Sequence, residues 1–387
     1  MTAARWVGVG ESADANPFRA GAEARAAAVD GRPDLRALIV FASASLDIES
    51  VLDGIAPGDV PLIGCSTAGE IGSSGPADRS VVVMALGGEG FVVSSAAATG
   101  LSGRLREAGA EVATCIDDLP ERPHQTLMLL TDGLAGNQRD IVRGAYDVAG
   151  SVIPLVGGGA GNDLSVADTF QMHGREVLRD AIVALAIGSD APLGIGVHHG
   201  WRRVGDPVLV TKSEGNRVYT LNDRPALDVY LERLNVPESA CKDATEFIRF
   251  ARTHPLGLGR RSGEDHVRVV GQAHFEDRSL GTYAEVPQGA IAWFMEGDAD
   301  SVLGAAESAC LAALEPLGGE KPLGVLAFDC IARREVLGET GIVDEVARIG
   351  EICGGSPIAG FYTFGEIART RGISGFHNQT LVVLALG

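Results

Sequence analysis

The feature that most constrains this chain is a unit used three times: an apolar strand, a helical stretch, Pro-apolar-apolar-Gly, an irregular loop and a second apolar strand. In the first copy ALIVFAS (37–43) leads through DIESVLDGI to PLIG (61–64), the loop CSTAGEIGSSGPADR and SVVVMALG (80–87). In the second, TLMLLTDG (126–133) leads through NQRDIVRGAYDVAG to PLVG (154–157), a longer loop with DTFQMHG, and AIVALAIG (181–188). The third ends the chain, from LGVLAFDC (323–330) through GIVDEVARIGEICGG to PIAG (357–360), FYTFGEIARTRGISGFHNQ and TLVVLALG (380–387).

Strand, helix and strand in that order predict right-handed crossover units with parallel pairing, and the strand returning after each loop is expected to pair antiparallel. The fold class is therefore α/β, with mixed sheets built from repeated strand-helix-strand-loop-strand units. Copies one and two are assigned to a domain over 1–205 and copy three to a domain over 245–387. A connector lies between, over 206–244. In it PVLVTKSEGNRVYTLNDRPALDVYLERL (207–234) predicts a hairpin turning at Ser213 to Asn216 and a helix capped by Asn222 or Asp223. Beyond it, HVRVVGQAHF and AIAWFMEG read as strands, and DADSVLGAAESACLAAL as an Asp-capped helix.

The loops after the three Pro-x-x-Gly strands are the candidate ligand sites, because ligand-contacting loops gather at strand carboxyl ends in α/β sheets. Nine residues after Pro61, Pro154 and Pro357 stand Glu70, Asp163 and Glu366. Thr67, Gly69, Glu70 and Ile71 match Thr363, Gly365, Glu366 and Ile367. A carboxylate held there can accept from an ammonium or guanidinium, or can equally satisfy N–H groups of its own turn. Ser66, Tyr362 and Asn378 complete the candidate lining. Arg333, in CIARR at a strand end, is assigned either to a carboxylate ligand, to Glu366, or to a structural ion pair. Among the catalytic readings, GCSTAG (64–69) only partly matches a nucleophile elbow at Ser66, and no base is placed beside Ser66 or Cys65. GGGAGN (157–162) lacks the P-loop Lys-Ser/Thr.

A net charge of −19 disfavours nucleic acid and anionic membrane. The six cysteines form no C-x-x-C pair, as expected of reduced thiols. With no long apolar run and no secretory leader, a cytoplasmic location is expected.

IGCSTAGEI (63–71), PLVGGGAGND (154–163), HHGWRRVGDPVLVT (198–211), FDCIARR (328–334), FYTFGEIA (361–368) and HNQTLVVLALG (377–387) together resemble the FIST proteins, whose two halves are paired sensory domains. The resemblance implies a non-enzymatic sensor of small ligands such as amino acids. Its partners would be signalling proteins such as a histidine kinase or a cyclic-nucleotide enzyme, reached in trans since no such domain is read here. Cofactors are expected to be none. Some similar proteins are haem-binding nitric oxide sensors, for which His199 would be the first candidate iron ligand. A hydrolase using Cys65 or Ser66 is the remaining alternative.

Overall fold

The computed structural model describes residues 4–163, 168–259, 265–370 and 375–387. The repeated unit is larger than its sequence signature. Each copy is preceded by a strand and a helix: Trp6–Ser12 and Pro17–Val29 in unit one, Phe91–Thr99 and Leu105–Ala113 in unit two, Leu193–His198 and Ala299–Leu314 in unit three. In unit three these two are separated by an inserted sheet that spans 202–296.

All three units build the same sheet. The core strand (Leu35–Ser43, His124–Asp132 or Gly324–Cys330) pairs parallel with the Pro-x-x-Gly strand (Leu62–Thr67, Leu155–Ala160 or Ile358–Thr363). On its other side it pairs antiparallel with the returning strand, as expected of the strand that follows each loop. The leading strand then pairs with the returning strand.

The fifth and sixth positions in each sheet come from elsewhere. Glu70–Gly72 and Gly75–Ala77, the hairpin of unit one, add to the Pro-x-x-Gly strand of unit three. The hairpin of unit three, Glu366–Arg369 with Phe376–His377, adds to unit two. That of unit two, Gln171–His173 with Glu176–Leu178, adds to unit one. The exchange is cyclic, and it ties the two ends of the chain into one body.

The close approach of the parallel core strand explains the glycine of the Pro-x-x-Gly motif. Its glycine sits opposite an apolar residue of the incoming hairpin: Gly64 opposite Met172, Gly157 opposite Ile367, Gly360 opposite Ile71. A Cβ on Gly157 or Gly360 would stand 2.0 Å from the carbonyl oxygen of Leu129 or Ala327, and on Gly64 2.5 Å from that of Val40. Backbone cannot yield as a side-chain tip can. Gly360→Ala is therefore expected to lower stability by about 2–3 kcal/mol, read from the urea midpoint, whereas Gly350→Ala, with nothing nearer than 3.7 Å, serves as the neutral control.

The inner faces of the three sheets share one apolar core. In it Phe41 of unit one packs on Phe361 and Phe328 of unit three, at centroid separations of 4.9 and 6.3 Å. The outer faces each carry a helix pair. Ile48–Ile55 shows why: its buried residues Ile48, Val51, Leu52 and Ile55 follow one helical stripe, and Asp47 caps it by accepting from Ser50 N.

The inserted sheet contains the expected hairpin, Arg202–Glu214 with Arg217–Leu221, and a helix at Ala226–Arg233. Neither Asn222 nor Asp223 caps that helix. Both occupy left-handed turn positions, and Asn222 Oδ1 accepts from Leu209 N at 2.8 Å, because the chain still has to leave the strand there. Asp298 does cap Ala299–Leu314, in a reciprocal box with Ser301. Among the described residues no helix is long and apolar enough to cross a membrane.

Candidate functional site

The turns after the Pro-x-x-Gly strands converge. Gly159 N donates to Gly365 O, Gly161 N to Ser66 O and Ala68 N to Tyr362 O, at 2.8, 3.1 and 3.1 Å. Their meeting point is filled: a Cβ on Gly161 would lie 2.9 Å from that of Ala68 and 3.3 Å from the Phe364 ring.

Glu70 and Glu366 are buried in matching turns with their oxygens occupied. Glu70 accepts from the Thr67 hydroxyl, from Ser80 N at 2.9 Å and from the Ser80 hydroxyl at 2.6 Å. Glu366 accepts from Thr363 Oγ1 at 2.6 Å, Thr380 N at 3.0 Å and Thr380 Oγ1 at 2.8 Å. Burial pushes both carboxyls up to about 7, against the pull of these donors. Each carboxylate thus ties its turn to the start of the returning strand.

The third member of this set is Gln171 rather than Asp163, since Gln171 occupies the hairpin position that Glu70 and Glu366 hold in the other sheets. Ala160 stands where the other units carry Thr67 and Thr363, and the Gln171 amide has no hydrogen-bond partner among the described residues. Asp163 is exposed in the longer loop and accepts from the Ser43 hydroxyl at 3.2 Å.

Arg333 is fully buried and does not pair with Glu366. It donates to Asp329 Oδ1 at 2.6 Å, to Glu345, and to the carbonyls of His199 and Val302, both at 3.2 Å. Tyr362 is buried under the Arg334 guanidinium, 5.0 Å above its ring, and its hydroxyl has no hydrogen-bond partner among the described residues. His199 is buried beside the Arg333 bridge, and its Nδ1 accepts from Trp201 N at 2.9 Å. The Ser66 hydroxyl donates to Gly161 O at 2.8 Å and accepts from Phe170 N at 2.9 Å, so it works as a staple between turns. Cys65 is fully buried, which holds its thiol well above the ordinary range.

Of the candidate residues, Asn378 lines a cavity. This cavity, of about 270 Å³, lies where the carboxyl end of Gly324–Cys330 meets the inserted sheet. Its apolar walls include Leu134, Ile248, Val270, Ile331 and Phe364. Two charged residues, Arg252 from the insertion and Glu335 from the helix Ile331–Ile352, join at 2.8 Å across its wall. Burial holds the Glu335 carboxyl above its usual value, and Arg252 opposes that shift. Asn378 is 4% exposed, and its carboxamide oxygen has no donor among the described residues. Cys330 lines the cavity and ends the core strand of unit three. The sequence had marked CIARR for Arg333, whereas the cavity uses Cys330 before it and Glu335 after it. Nothing in the sequence marked Arg252, because its place depends on how the insertion folds back. Among the described residues no His, Cys, Asp and Glu cluster fits a metal ion.

The model of the FIST N domain matches residues 36–224 and that of the FIST C domain residues 226–369. The chain belongs to the FIST family. FIST domains are sensory rather than catalytic domains. The chain is similar to an uncharacterized protein of Mycobacterium tuberculosis, 28% identical over 248 residues that cover 60% of each chain. It is also similar to an uncharacterized protein of Methanocaldococcus jannaschii, 28% identical over 246 residues, 57% of this chain and 47% of that one. The matches therefore span less than two thirds of these relatives' length.

Proposed function

We propose that this FIST protein senses an amino acid or related metabolite in the cavity between the three-unit body and the inserted sheet, and passes the signal to a separate partner such as a histidine kinase or cyclic-nucleotide enzyme. The observation that carries the ligand is the lining itself: one cation, one carboxylate and one carboxamide, with Tyr283 and Cys330, set in mainly apolar walls. Arg252 suits a ligand carboxylate, Glu335 an ammonium, and the aliphatic walls a side chain. A cavity of about 270 Å³ suits a metabolite. It lies below the roughly 300–1,000 Å³ usual for drug-sized ligands, its lining includes no histidine, and haem is a poor fit to it.

A thermal-shift and calorimetric screen of the common amino acids tests the reading. At least one is expected to bind, and Arg252→Ala is expected to weaken it about tenfold or more, the worth of one charge-assisted hydrogen bond. Arg252 is partly exposed, with 44% of its side-chain surface open to solvent, so the variant should fold normally. Absence of any binding at millimolar concentration would rule the reading out.

A further inference from the structure

The cavity between the three-unit body and the inserted sheet is not evenly polar. Its two charged residues stand at the open side: Arg252 and Glu335 keep 44% and 27% of their side-chain surface open to solvent, and Leu134 and Tyr283 of the same lining are exposed. The inner wall is Val270, Cys330 and Asn378, none more than 4% exposed. Among the described lining residues no charge lies there, and the Asn378 carboxamide oxygen is without a donor.

Leaving a buried carboxamide unpaired is unfavourable, so whatever fills the cavity is selected by its ability to pair with Asn378. A carboxamide presents one acceptor and two donors, and half a turn about its last bond exchanges them. Its complement is a neutral group that both donates and accepts, a hydroxyl or another carboxamide. An aliphatic end leaves it unpaired. An ammonium or carboxylate carried there is stripped of water with no opposite charge to meet it.

Asn378 is also held in place. It follows the hairpin strand Phe376–His377 and precedes Gln379, whose backbone is left-handed at φ 55° and whose Nε2 donates to the carbonyl of Arg252 at 2.6 Å. Thr380, next in the chain, donates to Glu366. One turn thus carries the inner carboxamide and grips the backbone of the cation at the mouth, so their spacing is set before a ligand arrives. Preorganisation of this kind lets a single polar group discriminate.

On the premise of an amino-acid ligand in this cavity, we propose that Asn378 determines its specificity, selecting side chains that end in a neutral hydroxyl or carboxamide over aliphatic and charged ones. The zwitterionic head divides between Arg252 and Glu335 at the mouth, and the side chain runs inward along Ile248, Val270, Ile331 and Phe364 to the carboxamide. Aliphatic walls alone separate near-isosteric side chains weakly, whereas a buried hydrogen-bonding group left unpaired by the wrong ligand separates them strongly.

The full-length protein is titrated calorimetrically with near-isosteric pairs, threonine and valine, asparagine and leucine, glutamine and methionine, tyrosine and phenylalanine, and with aspartate, glutamate and lysine. In each pair that binds, the hydroxyl or carboxamide member is expected to bind about tenfold tighter or more, and tighter than the charged amino acids. Asn378→Leu is expected to close the gap to under about threefold without weakening the aliphatic member, a result that a merely structural role would not give. Equal affinities within the pairs, a gap that Asn378→Leu leaves intact, or tightest binding by an aliphatic or charged amino acid would each overturn the proposal and leave the cavity reading standing. No binding by any common amino acid at millimolar concentration would remove both together. The comparison within pairs is made on the unaltered protein, so it decides even if Asn378→Leu does not fold.

Discussion

Arg333→Met is expected to lower folding stability by about 3–5 kcal/mol, the usual loss when one partner of a buried ion pair is removed. The guanidinium joins four pieces of unit three: Asp329 at the end of the core strand, Glu345 beyond the Gly338 break, Val302 on the first helix and His199 just past the leading strand. Without it two buried carboxyls face each other. Asp329 is already held well above the ordinary carboxylate range by burial and by the charge of Glu345. The variant must keep Asp329 protonated or admit water. Its deficit should accordingly narrow as pH falls, since protonation removes the uncompensated charge. Arg333→Lys should recover little, because one ammonium cannot reproduce a planar fork that reaches several acceptors at once. Urea unfolding at pH 5.5 and 8 measures both effects. A loss under about 1 kcal/mol would mean that the bridge is not holding the unit together.

The same residue shows what the sequence could and could not display. CIARR stood out because Arg ends a strand in a repeated unit, but apart from Asp329, four residues before it, its partners are too far along the chain to be chosen by spacing: Glu345 lies on the other side of a helix break and His199 is 134 residues away. The mixed sheets were legible, because each strand and return strand is a continuous apolar run bounded by turn residues. The leading strands and the leading helices of units one and two were not, and Ala299–Leu314 was legible through its Asp298 cap rather than through its apolar face. Pro17–Val29 and Ala299–Leu314 bury mostly alanine, Ala20, Ala24 and Ala28 in one and Ala305, Ala306, Ala309 and Ala313 in the other, which leaves a weak amphipathic signal. In unit three the insertion also parts the strand from its helix. Hairpin exchange is a pairing between units, and local pattern carries no information on it. That is why counting nine residues from each proline reached matching turns at Glu70 and Glu366 but led to Asp163 in unit two. The loop of unit two is longer, and Gln171 is what arrives at the equivalent place.

Gln171 also frames the second large effect. Glu366→Ala is expected to cost about 4 kcal/mol, because three buried donors, Thr363 Oγ1, Thr380 N and Thr380 Oγ1, would lose their acceptor at about 1–3 kcal/mol each, with partial relaxation. Glu366→Gln keeps a carbonyl for the Thr380 pair and turns an N–H toward Thr363. Unit two already tolerates the carboxamide at this position. The Gln variant should therefore cost little, and its cost should depend on pH in a defined sense. A carboxyl raised from 4.5 to about 7 in the folded protein favours folding while it is protonated, and that contribution is lost as pH rises through about 7. At pH 5.5 the wild-type carboxyl is neutral and the two proteins differ by about 1 kcal/mol or less. By pH 8.5 the wild type buries an anion, and the Gln variant should match or exceed it. Glu70→Gln should behave alike, since Glu70 is raised to the same value by the same burial. Urea midpoints for the four proteins at both pH values decide the matter. A stability gap between wild type and Glu366→Gln that stays constant from pH 5.5 to 8.5 would show that the carboxyl does not titrate in that range and remains an ionised acceptor throughout.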